Sequence, residues 1–101
     1  IHAGRYGGEE FLILFSGYTR KQAGKILEGM LTNFRNQEYD FLPEDVIITF
    51  SAGFTYLDNK NIDVEGFIKC ADEALYYSKE HGRNQITYYN DLRLRDMQVN
   101  R

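Results

Sequence analysis

Two acidic side chains, Glu9 and Glu10, directly follow a glycine pair, Gly7-Gly8. Carboxylates beside bare backbone at an exposed turn can hold a hard, oxygen-seeking cation while a phosphate approaches the glycines, as when Mg²⁺ bridges protein and nucleotide. Plain solvation explains the same two glutamates, because such cations usually draw on more than one carboxylate and no second candidate stands out. Lys79 and Arg83 lie four residues apart at the end of a predicted helix, where both can turn to one side and grip one phosphate. The favourable interaction of cations with a helix C-terminus explains them too. Cys70 is mid-helix and reads as a buried thiol. His2 and His81 lack partners at metal-ligand spacing. Tyr76-Tyr77 and Tyr88-Tyr89 have the rings to stack bases but not the interleaved basic residues of an RNA-binding sheet, so they read as core or interface.

The elements that must position these residues follow from periodicity. Ile1 to Phe15 reads as two strands joined at Gly7-Gly8, since glycine takes the positive φ that hairpin turns need. Phe11 to Phe15 does not alternate with polar residues, the pattern of a central strand covered on both faces. Thr19 and Gln22 form a capping-box pair, and Ala23, Ile26, Leu27, Met30, Leu31 and Phe34 make one helical stripe ending near Arg35. Asn36 to Asp45 holds the only proline and reads as a loop. Val46 to Tyr56 is β-branched and aromatic and reads as a strand, with Gly53 marking a bulge or close approach. After a turn at Asp58 to Asn61, Asp63 caps a second helix with the stripe Val64, Phe67, Ile68, Ala71, Leu75 and Ser78, and Gly82 ends it. Gln85 to Tyr89 reads as a last short strand, and residues 91–101 as a tail or linker.

Composition narrows the class. The chain has 101 residues, 43% hydrophobic and 15% aromatic, enough for a core and too apolar for disorder. A net charge of −3 argues against general nucleic-acid binding. The longest apolar run, five residues, falls far short of the roughly 20 that cross a bilayer, so no direct membrane contact is expected of this segment. A single cysteine makes a reducing, cytoplasmic setting the default.

Two longer strings combine these signals. Arg5-Tyr6-Gly7-Gly8-Glu9-Glu10-Phe11 resembles the signature of the GGDEF family, the diguanylate cyclase domains of bacterial signalling, in its GGEEF form. About sixty residues on, Ala71-Asp72-Glu73-Ala74-Leu75-Tyr76-Tyr77-Ser78-Lys79 with Gly82-Arg83-Asn84 is similar to the family's ADxALYxAKxxGRN helix and turn. Between them, Ser51-Ala52-Gly53 resembles its S-x-G strand.

The resemblance implies an α+β, ferredoxin-like or nucleotidyl-cyclase-like antiparallel sheet with helices. Residues 1–90 match the C-terminal part of the domain, without the N-terminal strand and helices that supply another metal-binding aspartate and the guanine-reading residues. It implies a nucleotidyltransferase that condenses two GTP into cyclic di-GMP with Mg²⁺ or Mn²⁺, acting as an antiparallel homodimer under an upstream sensor or receiver domain. On this likeness Glu9 is a metal ligand and Glu10 a supporting catalytic residue. Gly7 and Gly8 are the backbone beside the nucleotide, and Lys79 and Arg83 the clamp on its terminal phosphates. The family's inhibitory RxxD aspartate aligns with Ile1, so feedback inhibition there is not expected. The 101 residues alone are expected to be inactive and, with apolar strand edges unpaired, to dimerise or exchange strands. The alternative is a non-catalytic GGDEF module that binds nucleotide or a protein partner.

Overall fold

The computed structural model describes residues 1–38, 40–43, 46–56 and 63–92. The predicted turn at Asp58 to Asn61 and the tail from 93 onward lie outside them. The element order is β1 (His2–Gly7), β2 (Glu10–Leu14), α1 (Arg20–Asn36), β3 (Ala52–Phe54), α2 (Val64–Glu80) and β4 (Ile86–Tyr88), an α+β arrangement. Both helix starts follow from their caps. Thr19 and Gln22 make the reciprocal capping box, and the Asp63 side chain accepts the Gly66 N–H at 2.7 Å.

The strands form two separate pairs among the described residues. β1 and β2 are antiparallel, His2 opposite Leu14 and Gly7 opposite Glu10, with a register shift between Arg5 and Gly7. β3 and β4 are parallel, Ala52 opposite Ile86 and Phe54 opposite Tyr88. The expected α+β class holds with pairs of both kinds: β3 and β4 run parallel because α2 is the crossover between them, and a crossover returns the chain in the same direction.

The core sits on the β3–β4 pair, whose side chains alternate between faces. Phe54, Ile86 and Tyr88 meet Ala23 and Leu27 of α1, joined by Phe15, Met30, Phe50, Ala52 and Tyr56. Gly53 and Thr87 face the other way, against α2. A Cβ on Gly53 would overlap the Ala71 carbonyl oxygen and the Leu75 backbone nitrogen, so only glycine permits this approach. Ser78, 0% exposed, donates to the Ala52 carbonyl at 2.8 Å and shares a 2.6 Å hydrogen bond with the Thr87 hydroxyl.

Three expectations are corrected by packing. The strand expected over Val46 to Tyr56 is confined to Ala52–Phe54. Residues 46–50 have no regular structure, because among the described residues β3 pairs on one edge only, with β4. The apolar run Phe11 to Phe15 is not a covered central strand. Among the described residues β2 pairs with β1 alone, and Phe11 is 72% exposed. Residues 89–92 form a helical turn where the end of a strand and the start of a tail are expected.

Candidate functional site

The first hairpin turns at Gly8 and Glu9, with Gly7 closing β1 and Glu10 opening β2. Gly8 has φ +53, the positive value that the first loop residue of a tight hairpin needs. Arg5 Nε donates to the Gly8 carbonyl at 2.9 Å and fixes the turn. A Cβ on Gly7 or Gly8 would meet nothing within 4 Å, so open space lies beside this backbone. Glu9 stands exposed at the tip and makes no hydrogen bond or ion pair with the described residues. Glu10 is only partly exposed and accepts from Lys79 Nζ at 3.1 Å, side-chain exposures being 39% and 35%. That contact joins the hairpin to the last turn of α2 across 69 residues of sequence.

Lys79 lies inside α2, but Arg83 does not. The helix stops at Glu80 with His81 as its cap, Gly82 follows at φ +106, and the Arg83 N–H returns to the Ser78 carbonyl at 2.9 Å. Helical spacing therefore does not relate the two cations, a correction to the expected one-face pair. The turn aims Arg83, whose φ is +60. Its side chain makes no hydrogen bond or ion pair with the described residues, whereas Lys79 is engaged by Glu10.

A hard divalent cation takes six or more oxygen ligands, several of them usually carboxylate or substrate oxygens. Among the described residues no group of three or more His, Cys, Asp or Glu side chains gathers. Glu9 supplies one carboxylate at the tip, and these residues by themselves do not form a site for Mg²⁺ or Mn²⁺.

The other singled-out residues have structural places. His81 stacks on Tyr77 at 3.6 Å between centroids, and its Nδ1 lies 2.8 Å from the Tyr77 carbonyl oxygen, which fixes it at the helix end. Tyr88 packs against Phe54 at 5.2 Å and donates to Glu28 Oε1 at 2.7 Å. Desolvation, with the Glu28 carboxylate beside it, pushes its hydroxyl pKa up to about 12. Cys70 is a half-buried free thiol rather than a fully buried one.

Sequence reasoning missed the residues that hold the Arg83 turn. Arg35 Nε donates to Asn84 Oδ1 at 2.7 Å and Arg35 Nη2 to the Asn84 carbonyl at 2.9 Å, while the Asn84 N–H donates to Ser51 Oγ at 3.1 Å. Ser51 and Asn84 were visible as motif positions, but nothing local in the sequence pairs Arg35 with either.

Comparisons with known proteins converge on one family. The family model described as "Diguanylate cyclase, GGDEF domain" matches residues 2–85. The chain is 31% identical over 88 residues to diguanylate cyclase A of Treponema denticola, covering 84% of this chain and 23% of that protein. It is 31% identical over 86 residues to a diguanylate cyclase of Vibrio cholerae, covering 85% of this chain and 26% of that protein. With diguanylate cyclase DgcP of Pseudomonas aeruginosa the identity is 32% over 82 residues, 81% of this chain and 12% of that protein. The chain thus spans about a quarter or less of the length of these relatives. With the glycine-acid hairpin and the lysine-bearing helix brought together as described, this chain belongs to the GGDEF domain family.

Proposed function

We propose that this chain is the C-terminal part of a diguanylate cyclase domain, which in the full-length protein joins two GTP molecules into cyclic di-GMP. The observation that carries this reading is the 3.1 Å contact between Lys79 and Glu10, which sets the end of the phosphate-clamp helix beside the signature hairpin. In each condensation step the 3′-hydroxyl of one GTP attacks the α-phosphate of the other, forming a phosphodiester and releasing pyrophosphate. The hydroxyl proton passes to a base or to solvent. Such transfers depend on charge neutralisation and alignment. Gly7 and Gly8 admit the phosphates to the backbone, Lys79 and Arg83 hold the terminal phosphates, and Glu10 supports the reaction by orienting Lys79. Glu9 supplies one ligand to Mg²⁺ or Mn²⁺, the rest coming from outside the described residues.

The partner in this reading is a second GGDEF domain, because each GTP must be presented to the other. An upstream sensor or receiver domain would govern that meeting, in keeping with the greater length of the relatives. The single cysteine supports a reducing, cytoplasmic setting for this segment; among the described residues no helix is long and apolar enough to cross a membrane.

The test is cyclic di-GMP synthesis by the full-length protein with GTP and Mg²⁺. Glu9→Ala is expected to lower turnover by at least about a hundredfold, the scale of losing a charge-stabilising group. Retained activity would refute the metal-ligand role. The 101 residues alone are expected to show no turnover, since among the described residues no group of three or more metal-ligating side chains gathers beside Glu9. GTP binding by the full-length protein without synthesis would establish the non-catalytic module instead.

A further inference from the structure

The turn that carries Arg83 is held by more partners than a helix end requires. Gly82, Arg83 and Asn84 have φ of +106, +60 and +51 in succession. Glycine adopts these values freely and asparagine tolerates them, but arginine does so at a steric cost. A run of this kind persists where surrounding contacts over-determine it. From within, Gln85 Nε2 donates to the carbonyls of His81 at 2.6 Å and of Ser78 and Arg83 at 3.3 Å. Those bonds are local and define where the helix stops. The long-range ties are the Ser51 hydroxyl on the Asn84 N–H and the Arg35 guanidinium on Asn84.

Arg35 reaches across 49 residues from the last turn of α1 and takes both acceptors of Asn84, side-chain and backbone. This two-point grip uses the planar fork of a guanidinium, whose donors are fixed in direction. We propose that Arg35 is a positioning residue: by gripping Asn84 it holds the left-handed turn and so sets the direction in which Arg83 presents its guanidinium. The proposal rests on the reading of Arg83 as a phosphate ligand. Arg35 acts through the turn and not on the nucleotide.

The experiment uses the full-length protein as wild type, Arg35→Ala, Arg35→Lys, Arg83→Ala and the Arg35→Ala/Arg83→Ala double variant. Two quantities are read: calorimetric affinity for a non-hydrolysable GTP analogue, and amide hydrogen exchange over residues 82–85. Arg35→Ala is expected to speed exchange in that segment and to weaken binding about fivefold, as fits the loss of a charge-assisted pair. In the Arg83→Ala background it is expected to cause no further loss of affinity. Arg35→Lys keeps the charge without the fork and is expected to behave as Arg35→Ala does.

Unchanged exchange in Arg35→Ala, multiplied losses in the double variant, or full recovery with lysine would each overturn the positioning role. Wild-type binding by Arg83→Ala would instead overturn the phosphate reading, and the functional half of the proposal with it. The exchange data would still show separately whether Arg35 holds the turn.

Discussion

Lys79 and Glu10 form a pair whose two members are each about one-third exposed, so their mutual attraction is screened by water. The pair contributes little to folding, and its value lies in where it holds the ammonium. Lys79→Ala is accordingly expected to change stability by less than about 1 kcal/mol. The same variant should raise the KM for GTP about tenfold in the full-length protein, through loss of a charge-assisted phosphate contact. Denaturant titration beside steady-state kinetics separates the two, and a large stability loss with unchanged KM would contradict the clamp. Tyr88 makes a pH prediction. Its folded pKa, about 12, lies above the ordinary value of 10, so the native state keeps the proton longer than the unfolded chain does. The stability this contributes is complete below pH 10 and is lost as pH rises toward 12. Tyr88→Phe cannot titrate, so its denaturation midpoint should fall less than that of the wild type between pH 10 and 12. Equal falls would show that Tyr88 is not the titrating group.

Packing at the level of elements is concentrated on one short parallel pair. β3 has three residues, yet α2 lies on one of its faces and the α1 core on the other. Gly53 permits the first of these contacts. Gly53→Ala would drive a methyl group into the backbone of α2, where neither the helix nor the ladder can yield by a side-chain rotation. The expected cost is about 3 kcal/mol or more, the upper range for overpacking. It is measurable as a drop in urea midpoint or as loss of soluble protein. A variant with wild-type stability would mean that α2 does not approach β3 this closely. The hairpin is a different kind of element. It is held by its own ladder, by Phe15 in the core and by the Glu10–Lys79 contact, and it presents its tip to solvent. An element with so little buried surface should open locally at low cost, which suits the nucleotide-admitting role proposed for it.

For the whole molecule, the radius of gyration is 15.1 Å, larger than the roughly 13 Å of a compact domain of about 100 residues. The buried apolar set among the described residues is short: Ala23, Leu27, Leu31, Phe54 and Ala74. Phe11, Phe41, Ile47 and Val64 are each at least 67% exposed. Apolar surface beside open strand edges recruits other chains. The isolated 101 residues are therefore expected to self-associate at micromolar concentration, with strand exchange between copies, and Phe11→Lys should shift the population toward monomer. Light scattering decides this, and a monodisperse monomer of the unsubstituted chain would overturn it.

Local chemistry was legible in the sequence because it is local. Thr19 and Gln22 cap a helix through neighbouring atoms, Gly82 ends one through its own backbone, and the motif strings around Gly7-Gly8 and Lys79 carry the family likeness by themselves. The regular length of the Val46 to Tyr56 segment was not legible, since strand propensity becomes a strand only where a partner supplies the ladder. Nor was the surroundings of Phe11 to Phe15, because an apolar run does not state what covers it. The sequence alone determined the helices, their ends, the signature turn and the family. The tertiary structure decided that Glu10 holds Lys79, that Arg83 leaves the helix in a left-handed turn, and that Arg35 and Ser51 grip Asn84. Those contacts join residues 69, 49 and 33 positions apart, and only the packed chain brings such residues within hydrogen-bonding distance.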